Sequence, residues 1–238
     1  MCEYHQNDII GMLSKYLVKP ILDLEDLNQL LQRSSSHLGV GVRNYLDFLA
    51  YKGHFSQEMV VVYKSIIRSR SISPDLFIPT DEMVKDAYLK LDEQRFQTLY
   101  KILAYSGIRI TELVELISKY EPERLIINEN VAKYPLGFIR GKKQSFYVYL
   151  PKEVASELKH FRISIRSIVY KFGEAGLSGK YLRKWFYNFL IYNNVPESVA
   201  DFMEGGATQT VGSMHYLSRV KQADYWYEKI VKKLDEVL

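Results

Sequence analysis

Cysteine is almost absent from this 238-residue chain, and the single residue, Cys2, excludes an internal disulfide. Histidine is sparse and scattered, at His5, His37, His54, His160 and His215, and no Cys or His spacing matches a zinc site, which argues against a metal enzyme. No apolar run is long enough to cross a bilayer and no signal peptide opens the chain, so a cytoplasmic protein is expected. A large excess of one charge is missing too: the net charge is +4 and the pI near 8.9. A negatively charged partner therefore requires the basic residues to cluster locally.

Apolar residues are plentiful, at 47%, enough to bury one large or two modest domains. Nineteen tyrosines are too many for abundance alone to single out a nucleophile. Residues from about 6 to 67 read as a small helical unit with stripes at Ile9, Ile10, Leu13, Tyr16 and Leu17, then Leu24, Leu27, Leu30 and Leu31, then Val42, Tyr45, Leu46 and Leu49. Gly53 closes the third helix, and a fourth runs from Ser56 to about Ile67. The helical unit is placed at 1–70, a linker at 71–79 and a second domain at 80–238. Arg68 and Arg70 enter the linker without periodicity, where they are candidates to lie along a polyanion.

Thr80 caps the first helix of the second domain, which carries Met83, Val84, Ala87, Tyr88 and Leu91. The next helix bears Phe96, Leu99, Ile102 and Leu103, and Gly107 suits the left-handed residue that closes it. A further helix follows with Ile110, Leu113, Val114 and Ile117, which leaves Arg109 in the corner between two anchored helices. The periodicity then shortens. Arg124–Ile127, Leu136–Arg140 and Ser145–Leu150 read as strands, with Gly141-Lys142-Lys143-Gln144 as a hairpin turn. The fold class is mainly α with a small β-sheet.

Helices return from Val154. Between Lys159 and Lys184 the chain carries seven Lys or Arg, including Arg162, Arg166, Lys180 and Arg183, against one acid, Glu174. Lys180 and Arg183 stand three apart at the start of a helix whose apolar stripe is Leu182, Trp185, Phe186, Phe189 and Leu190. Cations at a helix start oppose its dipole, which implies something negative near them. Pro196–Met203 forms a short helix, Glu204-Gly205-Gly206-Ala207 a turn, and Tyr225, Trp226, Ile230, Val231 and Leu234 the apolar face of a terminal helix. That face covers either its own core or a neighbour's.

In chain order these parts are an arginine after a helix-closing glycine, a hairpin lysine, Lys-x-x-Arg at a helix start, and a tyrosine about thirty residues later. The order resembles the tyrosine recombinases, the integrase family that includes the Xer proteins and archaeal virus integrases. Gly107-Ile108-Arg109-Ile110-Thr111-Glu112 is similar to the family's first arginine motif, Lys180-Tyr181-Leu182-Arg183 to its His-x-x-Arg, and Tyr216 to its nucleophile. The resemblance spans roughly Thr80 to Tyr225 and implies a catalytic domain of the DNA breaking-rejoining type, preceded by a helical core-binding domain. It departs in two places. Lys180 replaces the usual histidine, as in integrases of archaeal viruses and plasmids, and the usual His or Trp before the tyrosine falls on Gly206 or Ala207. Thr208, Gln209 or a backbone N–H is then left to fill that role.

The resemblance implies in-line attack by Tyr216 on a phosphodiester, a covalent 3′-phosphotyrosyl intermediate, and neither metal nor nucleotide cofactor. Arg109 and Arg183 would stabilise charge on the non-bridging oxygens. Lys143, in preference to Lys142, would protonate the leaving 5′-oxygen, and Lys180 would contact the phosphate or assist proton transfer. Arg140, Lys142, Arg162, Arg166, Lys184, Arg68 and Arg70 are the expected contacts to double-stranded DNA, bound by a homo-tetramer on two sites. A side chain at Gly107 would crowd the DNA backbone. The alternative is a DNA-binding protein on the same fold with impaired catalysis, which the residues at 206 and 207 favour.

Overall fold

The computed structural model describes residues 3–32, 36–67, 74–140, 143–206 and 216–238. The chain divides into two compact units, Met1–Asp75 and Leu76–Leu238.

The first unit holds α1 (Glu3–Tyr16), α2 (Leu24–Gln32), α3 (Ser36–Tyr51) and α4 (Gln57–Ile66). Their stripes meet in one small core of Leu27, Leu30, Leu38, Val42, Leu46, Val60 and Tyr63. Ile10 and Leu24 fall outside it and are exposed, because each sits at the edge of its stripe. Ser56 caps α4 by accepting from the Met59 N–H at 3.2 Å, and Gly53 takes the positive φ that turns the chain between α3 and α4. Arg43 donates to the carbonyl of Ile67, which ties α3 to the end of α4.

In the second unit α5 (Asp81–Leu89) is capped by Thr80, whose hydroxyl accepts from Met83, and α6 (Gln94–Ser106) runs through the middle. The sequence pattern predicts one apolar face for α6. The structure instead buries every residue from Thr98 to Ser106 except Lys101, because other elements pack on α6 from several sides. α7 (Ile110–Ser118) follows the Gly107 corner. β1 (Ile126–Asn128), β2 (Val131–Arg140) and β3 (Lys143–Pro151) then form an antiparallel sheet in the order β1-β2-β3. β2 is longer than the sequence reading, which starts the strand at Leu136, because Pro135 breaks the apolar pattern. Pro135 costs little there: β1 pairs with β2 only as far as Lys133, so its missing N–H faces no third strand. The register shifts between Pro135 and Phe138, beside Gly137 at φ +59°.

α8 (Lys152–Ser156), α9 (Ile165–Glu174), α10 (Gly179–Tyr192), α11 (Glu197–Met203) and α12 (Tyr216–Asp235) complete the unit. The terminal helix covers its own chain's core. Tyr227 donates to the carbonyl of Tyr105, while Asp224 accepts from Lys133 at 2.6 Å and from the Tyr149 hydroxyl at 2.9 Å. Its buried face is Ala223, Tyr227, Ile230, Val231 and Leu234; Tyr225 is exposed, so the expected stripe is one position out of phase at its start. Residues 76–80, the end of the stretch read as linker plus the Thr80 cap, lie beside α10. The Phe77 ring meets Tyr181 edge-on at 5.0 Å, Lys184 donates to the Phe77 carbonyl, and Trp185 donates to Asp81 at 2.7 Å.

Two close approaches press α10 against the α6–α7 corner. Gly107 adopts φ +62°, ψ +12°, and a Cβ added there would lie 2.5 Å from the Phe186 ring and 3.0 Å from Glu204 Oε1. A Cβ on Gly179 would meet Ile110 at 2.9 Å and Leu103 at 3.0 Å. A side chain at Gly107 would thus crowd Phe186 of α10 and Glu204 at the end of α11. Gly107→Ala combines a left-handed backbone with overpacking, and we expect it to lower stability by about 2–4 kcal/mol in a urea melt. A change within ~0.5 kcal/mol would mean that the corner yields easily.

Candidate active site

Arg109 is the residue that starts α7. Its own backbone N–H donates to Glu112 Oε2 at 2.8 Å and its guanidinium to Glu112 Oε1 at 2.7 Å, so one carboxylate holds both the helix start and the side chain. Glu112 is fully buried, while the Arg109 side chain keeps 25% exposure. Buried Ile108 and Leu113 anchor the backbone on both sides. The geometry leaves part of the guanidinium facing outward from a rigid corner.

Arg183 reaches the same corner from α10. One guanidinium nitrogen donates to the carbonyl of Gly107 at 2.9 Å, and another pairs with Glu204 Oε2 at 3.0 Å. The Gly107 carbonyl is free to accept because α6 ends there in the left-handed residue. Burial lowers the Arg183 pKa, with Arg109 adding to the effect and Glu204 opposing it. The cation pair at the helix start predicts something negative, and Glu204 is that group for Arg183. Lys180 does not share the position: its side chain is exposed and lies 5.2 Å from the Tyr181 ring centre.

Glu204 lies immediately after α11. Its exposure is 8%, its Oε2 pairs with Arg183, and its Oε1 is buried with no hydrogen-bond donor among the described residues. Burial is the main cause that pushes its carboxyl up to about 8, outweighing the pull of Arg183 and Arg109; Asp201 and Glu112 push in the same direction. The sequence reading treats Glu204 only as the start of a turn. Its signal was an acid ending the apolar run Phe202-Met203, where no solvent-facing position was due.

Gly206 donates its N–H to the Asp201 carbonyl at 2.7 Å, and a Cβ there would lie 3.0 Å from that same oxygen. The chain at 206 is therefore tight against α11. Ala207, Thr208 and Gln209 lie outside the described residues. Tyr216 is the first residue of α12, placed here by its backbone alone. A different tyrosine, Tyr187, donates to Asp201 at 3.3 Å, and burial, with Asp201 adding to it, raises its hydroxyl to about 12, which suits a structural role.

The remaining residues spread out. Arg140 and Lys143 are cross-strand partners at the end of the β2–β3 hairpin, so Lys143 begins β3 and is not a turn residue. Lys142, Arg68 and Arg70 lie outside the described residues. Arg162 and Arg166 are exposed near the start of α9. Lys171 is ion-paired to Glu174 at 3.4 Å and Glu93 at 3.8 Å, and Lys184 is tied to the Phe77 carbonyl. Part of the basic run in sequence is therefore engaged with partners inside the protein. Among the described residues no group of three His, Cys, Asp or Glu converges to hold a metal ion, and no helix is long and apolar enough to cross a membrane.

The fold is similar to that of the integrase from mycobacterium phage Brujita, with a TM-score of 0.50 and 16% identity over 95% of this chain and 84% of that one. A structure of XerA recombinase matches at TM-score 0.44 and 13% identity over 98% and 92% of the two chains. XerH site-specific recombinase bound to its difH substrate matches at TM-score 0.44 and 14% identity over 90% and 77%. No curated protein matches the sequence. A family model described as archaeal phage integrase matches residues 76–233, the span that carries both arginines and Tyr216. The chain belongs to the archaeal phage integrase family and has the tyrosine-recombinase fold.

Proposed function

We propose that this protein is a site-specific DNA recombinase that cleaves and rejoins DNA through a 3′-phosphotyrosyl intermediate. One observation carries the reading: arginines 74 positions apart in sequence meet at a single corner, where Arg183 is bonded to the carbonyl two residues before Arg109. Two planar donors held by separate carboxylates suit a trigonal-bipyramidal phosphate, whose negative charge builds on its non-bridging oxygens.

In this reading the Tyr216 hydroxyl gives up its proton to solvent as its oxygen attacks phosphorus, the bond to the 5′-oxygen breaks, and that oxygen takes a proton from a lysine. Lys143, at the hairpin end, is the preferred donor over Lys142. Lys180, exposed at the start of α10, contacts the phosphate or assists the proton transfer at tyrosine. The broken strand's energy stays in the tyrosyl ester, so rejoining needs no cofactor. The first unit and residues 71–79 would embrace duplex DNA. Arg68, Arg70, Arg140, Lys142, Arg162 and Arg166 would supply phosphate contacts, with Lys184 a weaker candidate because its ammonium holds Phe77. A tetramer on two DNA sites would exchange strands in pairs, in the cytoplasm where such DNA resides.

The second reading, a DNA-binding protein with impaired catalysis, is favoured by Gly206 and Ala207, on one of which the family's usual histidine or tryptophan would fall. A pool of nicked duplexes of randomised sequence distinguishes the two. The wild-type chain should yield a covalent protein–DNA adduct on a denaturing gel, and Tyr216→Phe should yield none. An adduct with Tyr216→Phe would move the nucleophile elsewhere, and none with wild type would favour the second reading.

Residue roles separate by affinity and rate. Arg183→Ala should cut adduct formation by about 100-fold or more while leaving most of the DNA affinity. Arg162→Ala and Arg166→Ala should each weaken binding and reduce the slope of log affinity against log salt by about 1. Unchanged salt slopes in both would remove them from the interface.

A further inference from the structure

Once Glu204 is ionised, the arginine corner is electrically balanced before any DNA arrives. Arg109 is matched by Glu112 and Arg183 by Glu204, so with both carboxylates ionised the four groups sum to zero. Asp201, which accepts from Tyr187, lies close enough to add negative potential at Glu204. A phosphodiester carries one negative charge, and its transition state more. In a partly buried site, such an anion would enter beside two carboxylates with no net positive charge to receive it.

The two carboxylates differ in how they are held. Both oxygens of Glu112 accept hydrogen bonds from Arg109, which makes its charge a fixed part of the helix start. Glu204 uses only Oε2. Its Oε1 is buried, faces the Gly107 corner, and meets no donor among the described residues. A proton placed on Oε1 would remove the negative charge and leave Oε2 accepting from Arg183 as before.

We propose that Glu204 is a positioning residue for Arg183 and that its Oε1 carries a proton while a phosphodiester engages the arginine pair. The step balances simply: where the free protein holds Glu204 ionised, one proton from solvent adds to the carboxylate on binding, no other bond changes, and the local charge rises from zero to +1 to meet the phosphate; where Glu204 is already protonated, no proton moves. The groups facing Glu204 are Arg183 and Tyr187 from α10, Arg109 and Glu112 from α7, and Asp201 from α11. Three of these are anionic or become so on losing a proton, and the incoming phosphate adds a fourth negative group. The buried carboxyl already ionises near 8 in the free protein. Phosphate engagement then costs the ionised protein a proton uptake, so affinity for the reacting phosphate falls as pH rises through that value.

The proposal rests on the recombinase reading for its ligand, but not for its first test. Full-length protein with 13C-labelled glutamate carboxyls is titrated by NMR from pH 4.5 to 9.5 without DNA. One carboxyl should titrate near pH 8 and be missing from Glu204→Gln; if every carboxyl titrates below about 6, the proposal fails whatever the protein does to DNA. With duplex bound, as checked by gel mobility, the same midpoint should rise by about one unit or more. A midpoint that stays put on a bound duplex overturns the proton coupling.

Adduct formation at limiting DNA supplies the second test. Glu204→Gln keeps an oxygen for Arg183 and carries no charge, so its rate should equal that of wild type near pH 6.5 and exceed it by about tenfold at pH 9. Glu204→Leu loses the acceptor and should fall by about tenfold or more at every pH. A constant ratio of Glu204→Gln to wild type, or Glu204→Leu performing as well as Glu204→Gln, overturns the proposal. Should no variant and no wild type form an adduct, the recombinase reading falls while the DNA-free titration still decides the state of Glu204.

Discussion

The contact on which the corner depends is the Arg183 guanidinium strung between the Gly107 carbonyl and Glu204. It joins α6, α10 and α11 at one point and sets the second arginine beside the first. The contact exists because Gly107 ends α6 in the left-handed conformation, which both frees its carbonyl and removes the Cβ that would strike Phe186. Gly179 allows the other end of the approach by letting the start of α10 touch Ile110 and Leu103. Backbone shape at two glycines thus determines side-chain chemistry at two arginines.

Charge in this domain is managed locally. Lys171 is paired with Glu93 and Glu174, Arg109 with Glu112 and Arg183 with Glu204, while Lys184 donates to the Phe77 carbonyl. Arg162 and Arg166 remain exposed on the surface, while the buried pairs set geometry. Burial separates the two groups, because a desolvated guanidinium needs a partner in place and a solvated one does not.

Much of this was legible in the order of residues. The left-handed glycine, the Thr80 cap, the start of α4 at Ser56 and the hairpin follow from local chemistry that a few neighbouring residues determine. The near-complete burial of the second half of α6 was not legible, since periodicity reports one face and says nothing of how many elements will surround a helix. The start of β2 was hidden by Pro135, and its tolerance depends on where β1 stops. Glu204 was hidden for a different reason: an acid beside two glycines reads as a solvated turn until packing buries it.

What the sequence determined by itself is the family and the mainly helical fold with its small sheet. These are carried by short-range patterns, spacing and chain order. Tertiary structure alone decided that Arg183 turns inward while Lys180, three residues away, stays in solvent, that α12 covers its own core, and that a carboxylate sits on the second arginine. Each of those depends on which surfaces are desolvated when distant segments pack, and no local stretch of sequence contains that information.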